Sequence, residues 1–138
     1  MSASSSITSI RRAGDAHQVV TVEGGTSGYC KRPCLDCPWR VDATGVFPAE
    51  AFRHSAGTAY DMATHTFACH QSGVERPRTC AGFLLRGAEH NLSVRIGLMR
   101  GRIKDDVSDG GHVLHADYRA MAIANGVDPD DPILEPCR

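Results

Sequence analysis

Charge of one sign, aromatic rings and long apolar runs are all scarce in this chain. The net charge is −1, so the overall balance demands neither nucleic acid nor an acidic membrane surface as a partner. Aromatic residues make up 6% of the sequence. A core built here must come mostly from Leu, Ile, Val, Ala and Met, and it is thin. No apolar run is long enough to span a bilayer. Met1-Ser2-Ala3-Ser4-Ser5-Ser6 has no charged region followed by an apolar core, the pattern of a secretory signal. A cytoplasmic location, with no membrane association, is therefore the expectation. Catalytic signatures are missing too. There is no phosphate-cradling P-loop, no H-E-x-x-H helix and no G-x-S-x-G elbow. Pro33-Cys34-Leu35-Asp36-Cys37 supplies the second half of the zinc-deaminase signature, but the H-x-E half is absent upstream, where Val19 takes the Glu place after His17. No small-molecule substrate is indicated, and the balance leans away from an enzyme.

What the chain does have is cysteine, six in 138 residues, with fourteen glycines and seven prolines. The length fits one domain. A small, turn-rich chain often needs a staple, either a disulfide or a metal. In a reducing compartment, thiols read as ligands before disulfides.

The coarse layout follows from local composition. Residues 1–24 read as a flexible segment, disordered through Arg12, with a possible strand over His17–Glu23. Residues 25–127 form the cysteine-rich domain, and 128–138 an acidic, Pro-rich tail. Pro48 to Ala56 reads as a helix stopped by Gly57. Met62 to Ala68 runs extended into Cys69. Glu89 to Gly101 reads as a second helix, with Leu92, Ile96 and Met99 inward and Val94 and Leu98 widening the stripe. A third runs from Asp117 to Asn125, with Tyr118, Met121 and Ala122 inward and Gly126 as its stop. Phe47 and Phe52 are candidates to pack together or against Trp39. The fold class is a small α+β or irregular metal-stabilised domain, with about three short helices around a four-cysteine site.

The chemistry concentrates in Cys30-Lys31-Arg32-Pro33-Cys34-Leu35-Asp36-Cys37-Pro38-Trp39-Arg40. Cys34 and Cys37 are a C-x2-C pair, whose tight turn brings two sulfurs to one ion. Cys69 and Cys80 form a wider pair that closes the site. Four thiolates hold Zn²⁺ at roughly 2.3 Å per bond, and the same four can hold a [4Fe–4S] cluster. Zinc is the first expectation and the cluster the alternative, for which Cys37-Pro38 and a sheltering Trp39 speak. Four thiolates on zinc leave two net negative charges. Lys31, Arg32, Arg40, Arg76 and Arg78, with Arg95 from the second helix, are placed to offset them. The same basic rim is a candidate contact for a protein or nucleic-acid partner. His70 follows Cys69 and is an alternative ligand or a hydrogen-bonding neighbour. Cys30 is a spare or a fifth thiol beside the site. Cys137, one residue from the end, reads as an exposed thiol on a fraying terminus.

Several segments together carry a resemblance: Arg32-Pro33-Cys34-Leu35-Asp36-Cys37-Pro38-Trp39-Arg40, Gly45-Val46-Phe47-Pro48, Phe67-Ala68-Cys69-His70-Gln71-Ser72, Cys80-Ala81-Gly82-Phe83-Leu84, Asn91-Leu92-Ser93-Val94-Arg95 and Met121 to Val127. Over about Arg32 to Val127 the chain resembles an uncharacterised cysteine-rich family of bacterial and bacteriophage proteins, a domain of unknown function. The resemblance implies Cys34, Cys37, Cys69 and Cys80 as the working set, with Trp39, Arg40, His70 and Arg95 as neighbours. A looser resemblance to WhiB-like iron–sulfur regulators rests on Cys34, Cys37 and Pro38. Here, however, the other two cysteines both come later, and the Gly-Trp turn and basic tail are lacking. The functional expectation is a non-enzymatic regulatory or binding module. The alternative is an iron–sulfur redox-responsive protein or small oxidoreductase.

Overall fold

The computed structural model describes residues 6–12, 18–23, 28–72 and 77–138. Within them the chain is a small mixed domain of strands and short helices. Three strands form one antiparallel sheet in the order β1 (Ser6–Arg12), β2 (Gln18–Glu23), β3 (His65–Phe67). Val22 faces Thr66 across the β2–β3 ladder, and both are buried. The strand β1 falls where the sequence reads as disordered. Ile7, Thr8 and Ile10 give it the branched side chains that a ladder favours, and β2 supplies its partner.

Four helices follow: α1 (Ala49–Ser55), α2 (Ala81–Arg86), α3 (Leu92–Met99) and α4 (Tyr118–Ala124). The sequence shows α1, α3 and α4. It hides α2, which is six residues long and has no side-chain cap. Gly57 does not stop α1, since a 3-10 turn over Ala56–Ala59 carries the chain through it. The inward face of α3 also differs from the apolar stripe. Val94 and Gly97 are buried, while Leu98 and Met99 face solvent, Met99 at 85% exposure. Asn91 sets this orientation. Its side chain is buried, accepts from the Val94 N–H at 3.1 Å, and donates to the carbonyls of Thr58 and His65 at 3.1 and 2.6 Å. A fully bonded buried amide ties α3 to the 3-10 turn after α1 and to β3. Helix α4 matches its sequence pattern: Asp117 caps it through the Ala120 N–H, and Tyr118, Met121 and Ala122 are buried. Gly126 has φ +100°, the left-handed conformation that ends the helix.

Trp39 lies at the centre of the core at 0% exposure. Its ring neighbours are Phe67, Phe83 and Tyr118, with centroids 5.8, 6.4 and 5.8 Å away. Phe47 and Phe52 are not among these rings. Phe52 is buried under α1, where its carbonyl accepts from the Tyr118 hydroxyl, and Ser55 Oγ lies 2.6 Å from the same hydroxyl. The two ends of the indole press on glycines. A Cβ at Gly82 would stand 2.4 Å from Trp39 Cβ, and one at Gly87 2.4 Å from Trp39 Cη2.

The last residues are docked. Arg138 N–H donates to Ala59 O at 2.9 Å, Tyr60 Oη to Ile133 O at 2.6 Å, and Arg119 Nη2 to Leu134 O at 2.9 Å. Cys137 is therefore buried, at 6% exposure, and is not the exposed thiol its position suggests. Among the described residues, no helix is long and apolar enough to cross a membrane.

Gly82→Ala is expected to destabilise the protein by about 1–3 kcal/mol, because the new methyl overlaps the Trp39 side chain. Gly57→Ala meets nothing within 4 Å and should leave stability unchanged or raised by up to about 1 kcal/mol. Thermal melting of both variants checks this. Equal melting temperatures would show that Gly82 does not confine the indole.

Candidate metal centre

Three separated stretches of backbone are laced together beside β3. Thr79 bridges Tyr29 in parallel and Ala68 antiparallel, so it lies between them. The bonds are Cys30 N to Thr79 O (2.9 Å), Thr79 N to Gly28 O (3.1 Å), Cys69 N to Arg78 O (2.7 Å) and Cys80 N to Phe67 O (2.8 Å). This small ladder sets Cys30, Cys69 and Cys80 side by side. The other two thiols arrive on a turn: Cys37 N–H donates to Cys34 O at 3.1 Å, and Arg40 N–H to Cys37 O at 2.9 Å. Asp36 occupies the turn with φ +57°, a conformation that short Asp side chains tolerate better than most. Arg40 Nη1 donates to Cys34 O at 3.3 Å, and its Nε and Nη2 grip Asp42 at 2.8 and 2.6 Å. Arg40 thus supports the turn.

Five thiols converge, and none of the six cysteines is in a disulfide. Cys37 Sγ and Cys80 Sγ are 3.6 Å apart. Cys34 interacts electrostatically with Cys37 and Cys69, and Cys30 with Cys69. Cys34 Sγ is also 3.5 Å from His70 Nδ1. Backbone N–H groups point at sulfur from two places, Trp39 toward Cys37 and Gln71 toward Cys69. The protonation pattern follows from these contacts. Interaction with the Cys30 and Cys34 thiols pulls the Cys69 thiol well below its ordinary range. Interaction with Cys69 and burial raise Cys30, and interaction with Cys37 and Cys69 with burial raises Cys34. For Cys37 the interaction with Cys34 lowers the pKa, but the contact with Cys80 and burial prevail and leave it at about 12. Among the described residues, no group of three or more His, Cys, Asp or Glu side chains already stands in an arrangement that would hold a metal ion. The one thiol–thiol contact at hydrogen-bond distance among the described residues is Cys37 to Cys80.

The cluster has an inside and an outside. Cys37 and Cys80 are enclosed, at 0% and 2% exposure. Cys30, Cys34 and Cys69 line the wall of an open cleft of about 570 Å³, with Lys31, Arg32 and Arg78 around it. Gln71 and His112 complete that wall. Lys31 pairs with Asp106 at 3.2 Å.

All four expected ligands, Cys34, Cys37, Cys69 and Cys80, are in the cluster, with His70 and Cys30 joined to it. Trp39 and Arg40 flank it as part of the core and the turn. Arg95 is exposed on α3, and Arg76 lies outside the described residues. Gln71 and His112 had no sequence signal. Gln71 faces Cys69 through its backbone N–H, and its side-chain Nε2 lies 3.2 Å from His70 Nε2 and donates to Leu35 O at 3.4 Å.

In the protein without bound metal, alkylation should mark the cleft thiols before the enclosed pair. Iodoacetamide followed by peptide mass mapping is expected to label Cys30, Cys34 or Cys69 first. Cys37, Cys80 and Cys137 should react only on unfolding. Early labelling of Cys37 or Cys80 would contradict this division.

The model of a family of unknown function, DUF6283, matches residues 29–138. That span takes in every cysteine and the docked C-terminal segment, and it leaves out β1 and β2. No curated protein and no solved structure matches the chain. The chain belongs to the DUF6283 family.

Proposed function

We propose that this protein is a small zinc-binding module, non-enzymatic, in which Cys34, Cys37, Cys69 and Cys80 hold the ion. What supports the reading is that the backbone ladder and the C-x2-C turn bring thiols from separate stretches near one another, with Cys37 and Cys80 3.6 Å apart and no disulfide among them. Four sulfurs at roughly 2.3 Å from one ion stand about 3.8 Å from one another by tetrahedral geometry. The 3.6 Å between Cys37 and Cys80 fits such an edge. Ligands on four different irons of a cubane stand further apart, which favours zinc over a cluster. The amides of Trp39 and Gln71 that face sulfur suit thiolate ligands, whose charge they stabilise. Binding would draw these thiols into a tetrahedron and replace their protons with one ion.

The ion would act as the staple this small domain needs. It would join the turn of Cys34 and Cys37 to the ladder of Cys69 and Cys80, and so fix the face that carries the cleft. Regulation or scaffolding through that face is the role we assign. A protein partner fits better than nucleic acid. The rim is mixed in charge, because Asp106 pairs with Lys31 and also accepts from Tyr29 Oη at 2.6 Å. A bacterial or bacteriophage setting accords with the motifs of the domain.

Metal analysis with a visible spectrum, on protein purified without oxygen, tests the centre. Colourless protein with bound zinc is expected. A brown protein with about four irons per chain would replace zinc with the iron–sulfur, redox-responsive alternative. Protein without metal, and with a melting temperature indifferent to chelators, would overturn the centre. Structural zinc contributes about 10–16 kcal/mol of apparent binding energy to folding. Cys37→Ser or Cys80→Ser should therefore lose metal and solubility together. Cys137→Ser should keep its metal content.

A further inference from the structure

We propose that the open cleft binds a phosphate group, as free phosphate or as the phosphoryl end of a small phosphate ester. Such binding needs no metal and stands apart from the zinc reading. The cleft holds about 570 Å³, within the usual range for small-molecule sites. Its charged lining is of one sign: Lys31, Arg32 and Arg78 with His112 beside them, and no Asp or Glu among the described residues.

Backbone bonds fix the walls that carry these groups. Ser108 N–H donates to Lys31 O at 2.9 Å, and Lys104 N–H donates to Tyr29 Oη at 3.1 Å. Residues 29–32 are thereby docked on the loop 104–112. Arg32 then lies over Gly110, where a Cβ would stand 3.5 Å from Arg32 Cδ. Gly110 and Gly111 turn the loop with φ +64° and +85°. Asp109 closes that turn by accepting from the Gly111 N–H at 2.8 Å, and the turn delivers His112 to the wall. Arg78 comes from the ladder, where its carbonyl accepts from Cys69 N–H at 2.7 Å.

The carboxylates nearby are already engaged. Asp106 takes Lys31 at 3.2 Å and Tyr29 Oη at 2.6 Å, and Asp42 takes two bonds from Arg40. Among the described residues, Arg32 has no ion pair and the His112 side chain no hydrogen bond. A guanidinium presents paired N–H donors that match two oxygens of one phosphate. An imidazole N–H adds a donor from the facing loop. Donors on separate walls suit a tetrahedral oxyanion, whose oxygens point several ways, better than a planar carboxylate. The open mouth leaves room for the rest of an ester to project into solvent.

Isothermal titration calorimetry of the full chain tests the site, with inorganic phosphate and glycerol 3-phosphate as probes at constant ionic strength. Saturable binding of one phosphate group per chain is expected. Arg32→Ala should weaken it by about tenfold or more, the usual loss for a charge-assisted pair, and His112→Ala by a smaller factor. Arg32 is exposed, so Arg32→Ala should melt as the wild type does. Arg53→Ala removes the same charge from α1 and should bind as the wild type does. Tighter binding of the ester would identify an organic phosphate as the ligand, and equal binding free phosphate. No saturable binding would overturn the site. So would binding that Arg32→Ala and His112→Ala both leave unchanged.

Discussion

The ladder around Thr79 is the constraint on which the rest of the structure depends. Its backbone bonds to the stretches at residues 28–30 and 67–69 bring together thiols up to fifty residues apart in sequence. Each of these segments is only a bridge or two long. Alone they would not repay the entropy of closing such loops. They hold because other elements grip their ends. The strand β3 leads into Cys69 and is paired to β2, while α2 begins immediately after Cys80. Asn91 then clamps β3 to α3.

Trp39 couples this ladder to the helical half. It follows the C-x2-C turn by two residues, so the turn cannot shift without moving the indole. The indole is held by Phe67 from the sheet, Phe83 from α2 and Tyr118 from α4. Gly82 and Gly87 leave room for it and for nothing larger. Its Nε1 is buried without a hydrogen bond, a cost of about 1–3 kcal/mol that the surrounding apolar contacts must offset. The placement of the thiols and the centre of the core are thus one packing problem.

Local chemistry was legible in the sequence, and register was not. The C-x2-C turn is local, and the structure forms it with the expected tight bend. Helix α4 was legible because Asp117, the spacing of Tyr118 and Met121, and Gly126 all agree. Helix α3 was misread because its buried face is built around a glycine and an asparagine. Gly97 makes room for Ile103, and Asn91 is worth burying only when three partners surround it. Cys137 was misread for a similar reason. Its burial depends on Tyr60 and Arg119, which bind carbonyls near the terminus from 73 and 15 residues away. For Cys30 the sequence leaves two readings, a spare or a fifth thiol beside the site, and the pairing of Tyr29 with Thr79 sets it on the cleft with Cys69.

Five thiols gathered in one region are a poor way to build a core. Aliphatic side chains of similar size would fill the space without polar atoms. The cluster also does not sit where a core would sit. Its inner pair touches the packed interior, while its outer members form the wall of an open cleft. Arg40 and the amides of Trp39 and Gln71 are oriented toward the turn and the sulfurs rather than toward water. Such directed polar support stabilises thiolates and would be wasted on buried methyl groups. The thiols thus lie at the edge of the core, where the cleft reaches Cys30, Cys34 and Cys69 while Cys37 and Cys80 stay enclosed.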